Sequence, residues 1–390
     1  MLRFKLKDHL RGDRQIWLIL LLLSLISIIV VYSSVSALAY RKTDGNTEYY
    51  LIKHTFLLLV GLGFTFVVHK INILEYAGIA KILLWITPLL LLYTLFRGIN
   101  VGGASRWVSI MGLSFQTSDL VRLVLITNLA AMLARRQNIE YKISDLWSMI
   151  IWCGVICGLL SVSSFSTSVI LGITCFMLMW IGRVPTNYLV KMVISLGLGV
   201  FLALSAGLVL KKFDIKFGRV QTVIDRSESF LHLDLDGDGF MGGEGNDDTQ
   251  KDMALVAIAK GGLLGVGPGN SSQKNVLPDV FSDFVYSIII EEYGIVGGLV
   301  VMALYLWLLF RGHWNIDKTE RAFGGLLSIG LTLSIVFQAF AHMFINVGLG
   351  PVTGQTLPLI SMGGTSMIFT SVAIGIVLSV TQTKKEAVKA

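Results

Sequence analysis

Apolar runs of about 20 residues recur from one end of this sequence to the other, and each is long enough to cross a hydrocarbon core of about 30 Å as an α-helix. In lipid a helix satisfies its backbone hydrogen bonds internally, so the runs leave few other folds open. The composition agrees, with 54% hydrophobic residues, 15% charged residues and a mean hydropathy of +0.72. We therefore predict an all-α polytopic membrane protein, built as one transmembrane domain over residues 1–390.

The first apolar run, Ile16 to Leu38, is too long for a cleaved signal peptide and lacks a small-residue cleavage site, so it is predicted to be the first span. Hydrophobic periodicity gives about ten spans, of which the fourth and fifth are short. The predicted spans are residues 16–39, 51–69, 78–96, 119–134, 147–162, 166–183, 187–210, 284–310, 322–348 and 361–381.

Lysine and arginine cluster in the loops at one side of these spans. Short positive loops mark the cytoplasmic side, and with ten spans both tails and the loops after spans four and eight share that side. We therefore expect a protein of the inner membrane with both termini in the cytoplasm. The residues concerned are Arg3, Lys5, Lys7, Arg11, Arg14, Arg135, Arg136, Lys142, Arg311, Lys318, Arg321, Lys384, Lys385 and Lys389.

One long polar segment, residues 211–283, interrupts the apolar pattern and is predicted to be a large extracytoplasmic loop. It holds twelve acidic and eight basic residues, a net charge of −4, so the rest of a chain whose net charge is +7 carries +11. The basic excess thus lies mainly at the cytoplasmic face, where anionic lipid explains it and a nucleic-acid partner is not needed. A loop of this length is typically functional or partly folded.

Within this loop, Asp234, Asp236 and Asp238 are followed by Gly239, which matches positions one, three, five and six of a calcium-binding loop. The closing carboxylate belongs at position twelve, where this chain has Gly245, with Glu244 one residue early. Two interpretations stay open: a calcium-stabilised loop and a solvated acidic turn.

Three further external segments carry polar residues that lipid does not require. The first begins at Arg106 and Trp107 and continues to Asp119 and Arg122. These last two residues are three positions apart at the start of a helix, so they are predicted to form an ion pair on one face. The alternative is a helix N-terminus, with Ser118 or Asp119 as the capping residue.

The second segment contains five glycines and one proline from Gly261 to Gly269 and ends at Asp283. Asp283 precedes a long span, so it is either an N-cap or a general base at the membrane edge, where low dielectric raises a carboxyl pKa. Glu291 and Glu292 lie two turns further in and need partners, for which the candidates are Lys53, His54 and His342.

The third segment runs from residue 346 to residue 366, rich in glycine and polar residues. Upstream of it, polar residues recur every fourth position along span nine, which gives that helix a polar stripe. Such a stripe faces protein or a hydrated cavity, and contacts between helices and contacts with a ligand both remain open. The stripe consists of Ser334, Gln338, His342 and Asn346.

In this order and at these distances, the three segments resemble the SEDS family of shape, elongation, division and sporulation proteins, over nearly the whole chain. The resemblance is carried by specific motifs. They are Gly-Gly-Leu-Leu-Gly-Val-Gly at 261–267, Leu-Pro-x-x-x-Ser-Asp-Phe at 277–284, Glu-Glu-x-Gly at 291–294, and Pro-Val-Thr-Gly with Leu-Pro-x-x-Ser-x-Gly-Gly at 351–364.

The resemblance implies ten transmembrane helices and an inverting glycosyltransferase that polymerises lipid II into glycan strands and releases undecaprenyl pyrophosphate. It makes Asp283 the catalytic residue. Candidate substrate-binding residues are Arg106, Trp107, Lys274, Arg219, Glu291 and Ser361. It also implies a possible divalent cation (Mg or Mn), a class B penicillin-binding protein and other division proteins as partners, and a location at the division septum.

Some positions depart from the family pattern. Phe281 and Ser282 replace a histidine and a threonine, and the Pro-Asp-x-Gly-Thr motif after span five is Ser163 to Thr167 here, without its aspartate. Three alternatives to a division polymerase stay open. They are a lipid II flippase, a non-catalytic scaffold that activates the transpeptidase, and an elongation polymerase of the same family.

Overall fold

The structure is a computed structural model that describes residues 12–35, 46–101, 104–110, 113–137, 143–194, 246–275, 281–318 and 322–381. Helices dominate it and coincide with the predicted spans. They are α1 (Arg14–Ser34), α2 (Thr47–Val68), α3 (Ile73–Arg97), α4 (Thr117–Ala134), α5 (Ile143–Ser163), α6 (Phe165–Ile181), α7 (186–194), α8 (Asn246–Gly261), α9 (Val285–Lys318), α10 (Ala322–Asn346) and α11 (Thr365–Val380).

Seven of the described helices are long and apolar enough to cross a membrane, and α6 and α11 are shorter apolar helices. Every predicted span has a helix at its position, which includes the short fourth and fifth spans. The predicted seventh span is described only as far as residue 194. The prediction of a polytopic helical membrane protein is therefore confirmed.

Both described chain ends lie on the same face. The backbone N–H of Asp13 donates to Thr381 Oγ1 at 2.9 Å, which joins the start of α1 to the end of α11. The Asp13 carboxylate also pairs with Arg311, near the last turns of α9. Asp283 precedes the first residue of α9, so it lies at the opposite face of the bundle.

The centre of the bundle is α10. Of the apolar window that would cross a membrane, 89% is buried in α10, against 22% in α2 and 28% in α3. The central helix packs on α9, α4, α6 and α11, whereas α2 and α3 expose broad apolar faces. Exposed apolar side chains on the outer helices are suited to lipid contact.

Residues 99–101, 104–110 and 113–116 form a small antiparallel sheet, which the sequence analysis did not predict. Its strands are β1 (Ile99–Val101), β2 (Ala104–Ile110) and β3 (Leu113–Gln116), with Val101 opposite Ala104 and Trp107 opposite Gln116. Aromatic and β-branched residues between glycines favour a hairpin over a helix at this place. The sheet leads directly into α4 and lies at the same face as Asp283.

A helix that the spans did not predict, α8, lies within the segment predicted as an external loop. It packs along the first turns of α9, together with the glycine-rich segment that follows it. At Gly294 the α9 backbone leaves helical geometry, with φ 71° and ψ −176°. Glycine tolerates this positive φ, so α9 is interrupted where the glycine-rich segment meets it.

Candidate active site

Four segments that are distant in sequence converge at the face opposite the chain ends. They are β2, the junction between α5 and α6, the turn before α9, and the loop between α10 and α11. Gly354, with φ 64°, is the point where they meet: a Cβ there would lie 3.3 Å from Asp283 Oδ2 and 3.8 Å from Arg106 Nη1. The carboxylate and the guanidinium therefore both lie next to the same glycine.

Hydrogen bonds from the loop after α10 hold the turn that carries Asp283. The Ser361 hydroxyl donates to the Ser282 carbonyl at 2.7 Å, and the Met362 N–H donates to the Phe281 carbonyl at 3.0 Å. The Ser282 hydroxyl donates to Asp283 Oδ1 at 2.5 Å. Asp283 is half-buried, so its carboxylate is held by neighbouring groups and is still accessible from this face of the bundle.

Asn346, the last residue of α10, caps α9 from the neighbouring helix. Its Oδ1 accepts from the Ser287 N–H at 3.0 Å, and its Nδ2 donates to the Asp283 carbonyl at 3.0 Å. The first N–H groups of a helix need such acceptors, and here one amide side chain satisfies the helix and holds the aspartate backbone. Asn346 thus performs at Ser287 the capping function that we considered for Asp283.

Strand β2 places Arg106 next to Gly354 and the end of α5. Arg106 Nε donates to the Ser163 carbonyl at 3.2 Å, so the guanidinium bridges β2 and the end of α5. Side chains alternate between the two faces of a strand, which directs Trp107 away from Arg106. Both residues are half-buried, and only Arg106 is adjacent to Gly354.

The segment that lacks the family aspartate is also part of the site. Ser164 Oγ and Thr167 Oγ1 are 2.7 Å apart, and Gln355 Nε2 donates to Thr167 Oγ1 at 2.8 Å. His342 Nδ1 donates to the Gln355 carbonyl at 2.7 Å, since a carbonyl oxygen only accepts. Hydroxyl and amide groups therefore connect this junction to the loop after α10.

Ser361 was predicted to bind substrate, but it is 2% exposed and its hydroxyl also accepts from the Leu357 N–H at 2.8 Å. Glu291 is 0% exposed, and its carboxylate accepts from the Ser272 N–H at 3.0 Å and from the Ser271 hydroxyl. Both residues thus make structural hydrogen bonds, and their contact with substrate stays a prediction.

The partners predicted for the buried glutamates were wrong. The Glu292 carboxylate accepts from the Ser33 hydroxyl of α1, and the Ser271–Ser272 turn holds Glu291. His54 instead bonds Ser27 Oγ at 2.8 Å. Serines far away in sequence satisfy these carboxylates, which charge complementarity along the sequence does not reveal.

The ion pair predicted between Asp119 and Arg122 is confirmed, with 2.8 Å between Asp119 Oδ1 and Arg122 Nη2. Arg122 also donates to Gln338 of α10, and Gln338 Nε2 donates to the Thr356 carbonyl at 3.0 Å. Asp119 and Arg122 are 4% and 8% exposed. The polar stripe of α10 thus links neighbouring elements through Gln338, His342 and Asn346.

Lys274 lies in a 3₁₀ turn at 273–275, where its Nζ donates to the Gly269 carbonyl at 2.6 Å. Four other predicted site residues lie outside the described residues. They are Arg219, Asp234, Asp236 and Asp238. The substrate role of Arg219 and the calcium loop therefore stay predictions.

Within the described ranges, no three His, Cys, Asp or Glu side chains come together as metal ligands. Beside Asp283 the charged neighbour at Gly354 is Arg106, a cation, so these residues do not form a protein-held divalent site. The Mg or Mn ion implied by the resemblance stays a prediction, and no step of the reaction below uses it.

Sequence reasoning missed the roles of Gly354 and Gln355. A Pro-Val-Thr-Gly motif does indicate a turn, but the position of Gly354 next to Asp283 and to Arg106, which is 248 residues away in sequence, depends on the tertiary fold. The polar stripe was the signal for Asn346, whose helical spacing put it on the face that contacts α9.

Comparison with known proteins agrees with this architecture. The family model described as "Cell cycle protein", which covers FtsW, RodA and SpoVE, matches residues 13–386. A probable peptidoglycan glycosyltransferase FtsW from Bacillus subtilis is 29% identical over 97% of this chain and 92% of its own. The protein of the same name from Pseudomonas fluorescens is 30% identical over 90% of this chain and 84% of its own.

Solved structures support the fold. A chain from a peptidoglycan synthase complex that coordinates polymerization and crosslinking superposes with a TM-score of 0.73, at 23% identity over 96% of this chain and 98% of that one. The rod shape determining protein RodA of Thermus thermophilus superposes with a TM-score of 0.67, at 22% identity over 97% and 99% of the two chains.

The fold and the external site define a polytopic membrane protein of the SEDS type. The chain belongs to the cell cycle protein family of FtsW, RodA and SpoVE.

Proposed function

We propose that this protein is a peptidoglycan glycosyltransferase that polymerises lipid II into glycan strands during cell division. The observation that carries the proposal is that Asp283 and Arg106 lie next to the same residue, Gly354, at one face of the bundle. One side chain can accept a proton and the other can bind an anion. Lipid II has a matching group for each side chain at the membrane surface: a sugar hydroxyl that can give up a proton, and a pyrophosphate that can be bound as an anion.

In this mechanism the 4-hydroxyl of the acceptor sugar attacks the anomeric carbon of the donor, and Asp283 takes the hydroxyl proton. The bond between the anomeric carbon and the pyrophosphate oxygen breaks, so undecaprenyl pyrophosphate leaves and the configuration inverts. Arg106 binds the pyrophosphate through paired N–H donors and stabilises the charge that develops on it.

Asn346, Ser361 and Met362 keep Asp283 in this position through the turn before α9. Gly354 avoids crowding of the base and the guanidinium, because a Cβ there would lie 3.3 Å from Asp283 Oδ2 and 3.8 Å from Arg106 Nη1. Correct placement of a base relative to its substrate is worth a large part of the rate enhancement, so these contacts support catalysis without touching substrate.

The protein acts in the cytoplasmic membrane, with both termini in the cytoplasm and the site of Asp283 outside. Asp13 and Thr381 lie on one face, as an even number of spans requires, and the basic loops fit the cytoplasmic side. A division role places it at the septum with a class B penicillin-binding protein and other division proteins. The relatives named FtsW favour division over elongation.

The test uses the full chain purified with its transpeptidase, the latter blocked by a β-lactam, and incubated with lipid II and a divalent cation. Glycan products are separated by size on a gel. The parent should form ladders, and Asp283→Ala should form none while its thermal unfolding is unchanged. Omitting the cation in a parallel sample tests the predicted metal requirement.

Ladders from both proteins would keep the enzyme but remove Asp283 from its catalytic role. The absence of ladders from both folded complexes would favour the flippase, which a lipid II translocation assay in vesicles would then detect. If translocation were absent too, and the transpeptidase were still stimulated, the scaffold would be the remaining function.

A further inference from the structure

The segment after α8 is bound to the interruption in α9 through its backbone. The N–H groups of Val266 and Gly267 donate to the carbonyls of Glu291 and Glu292 at 2.9 Å and 3.0 Å. In return, the Ile295 N–H donates to the Gly262 carbonyl at 2.9 Å. Two stretches of irregular backbone thus satisfy each other.

Glycines make this close approach possible. A Cβ at Gly265 would lie 2.2 Å from the Glu292 carbonyl oxygen, and one at Gly294 would lie 2.1 Å from the Leu263 carbonyl oxygen. No side chain fits at such distances. Residues 246–275 therefore form a hairpin, with α8 as its descending arm, that is fixed to α9 at a defined depth.

The depth of the hairpin in the membrane can be inferred from the positions of the charged residues along α9. Between Glu292 and Arg311 the helix has eighteen residues without an Asp, Glu, Lys or Arg. At a rise of 1.5 Å per residue these span about 27 Å, close to the hydrocarbon thickness of about 30 Å. The exposed apolar face of α9 begins at this end of the run with Ile295, 42% exposed, and Val296, 51% exposed, so this level of the helix faces the hydrocarbon.

The turn of the hairpin at that level is apolar and exposed. Leu263 is 71% exposed and Leu264 is 83% exposed. Irregular backbone is tolerated at membrane depth only where its polar groups are satisfied, and the bonds to α9 meet that condition. Lys260 and Lys274 flank the turn, and their ammonium groups bond within the hairpin, to Ser272 Oγ and to the Gly269 carbonyl, both at 2.6 Å.

We propose that residues 246–275 are a re-entrant hairpin whose Leu263–Leu264 turn inserts into the acyl chains of the outer leaflet. The occupant of this apolar surface is membrane lipid. The segment predicted to be wholly external thus contains a membrane-inserted element, independent of the reaction that the protein catalyses.

The hairpin is connected to the segment that carries Asp283. The hairpin ends at Asn275, a few residues before the turn of Phe281 to Asp283, and Glu291 holds it through Ser271 and Ser272. An inserted hairpin fixes the height of this segment relative to the lipid surface. A site that acts on a lipid-linked sugar needs its base at a constant height above the acyl chains.

The experiment places a nitroxide on the full chain in lipid nanodiscs, with Leu264→Cys and Leu263→Cys as the test variants. Collision rates with oxygen, which concentrates in the bilayer, and with a water-soluble nickel complex are measured. Leu89→Cys on α3, 67% exposed, is the lipid-facing control, and Ser109→Cys, exposed on β2, is the aqueous control. The labelled parent gives the background from its native cysteines.

We expect the oxygen-to-nickel ratio at both test positions to be at least fivefold that at Ser109 and closer to that at Leu89. A ratio equal to that at Ser109 would put the turn in water and overturn the proposal. Low collision rates with both reagents would also overturn it, because they would show that protein covers the turn. Thermal unfolding of each variant confirms that the fold is retained.

Discussion

Two aspartates in this protein are each near an arginine, and their surroundings differ. Asp119 and Arg122 are in contact at 2.8 Å, almost completely buried, with Gln338 bound to the same guanidinium. Asp283 is half-buried at the rim of the bundle, where Gly354 lies next to both Asp283 and Arg106. The same two residue types form a buried ion pair in one place and lie half-buried beside a glycine in the other.

The two aspartates differ in how deeply they are buried and in which partners the protein supplies to their carboxylates. A buried pair in low dielectric needs partners within the protein, because an unpaired charge there costs several kcal/mol. At the rim, the neighbours of Asp283 bind its backbone and one carboxylate oxygen, and the residue stays half-buried. We therefore assign the inner pair to stability and the outer pair to chemistry.

The largest expected effect on stability comes from opening the inner pair. Arg122→Ala leaves Asp119 as a buried carboxylate without its cation, which should cost about 3–5 kcal/mol of unfolding free energy. Thermal unfolding in detergent measures this. Arg135→Ala, an exposed arginine at the end of the same helix, is the control and should change little. An unchanged Tm for Arg122→Ala would remove the structural role of the pair.

At the rim, Gly354→Ala should reduce the polymerisation rate about 100-fold, because the methyl group crowds the base and the guanidinium. The strain of a positive φ alone costs about 1–2 kcal/mol of stability. Gly269→Ala is the matched control, since Gly269 has φ 78° and an added Cβ there meets no atom within 4 Å. Equal rate losses in both variants would mean that only backbone strain matters.

A smaller effect is expected for Asn346→Ala, which removes the bonds to Asp283 and Ser287. The kcat should fall about tenfold through misplacement of the base, with KM nearly unchanged. Asn128→Ala in α4 removes two comparable hydrogen bonds, to the Ala80 and Val124 carbonyls, far from the site. Both variants should lose about 1–3 kcal/mol of stability, so an equal fall in kcat would contradict a positioning role.

Ser361→Ala should have the smallest effect. It removes the hydrogen bonds of one buried hydroxyl, which are worth about 1 kcal/mol of stability, and KM for lipid II should not change. Ser361→Thr, which restores a hydroxyl, is the comparison variant. A several-fold rise in KM for Ser361→Ala at unchanged Tm would instead restore the predicted substrate contact.

The sequence predicts the helices well because their information is local. Each apolar run reports its own span, and Asp119 and Arg122 reveal their pair by helical spacing. The sheet at residues 99–116 was missed because its strands are short and the spans dominated the pattern. Its signals, alternating aromatic and β-branched residues next to Gly102 and Gly103, are present in the sequence.

The candidate site was predictable in its residues and not in its arrangement. The motifs picked out Asp283 and Arg106, but their common position next to Gly354 depends on how four segments fold together. The partners of Glu291 and Glu292 were missed for the same reason, since Ser33 lies 259 residues from Glu292. Pairing by charge is visible along a helix, whereas pairing with a distant serine becomes visible only in the folded chain.

The central claim is that Asp283 serves the reaction and Asp119 serves stability. It is tested most directly with the variants Asp283→Asn and Asp119→Asn. The rate of lipid II polymerisation per folded molecule and the Tm are measured on the same samples. Asp283→Asn should keep the parent Tm and lose about 1000-fold in rate, within the range for removal of a general base. Asp119→Asn should lower the Tm and keep a rate within a few-fold of the parent. Polymerisation by Asp283→Asn at the parent rate would contradict the account.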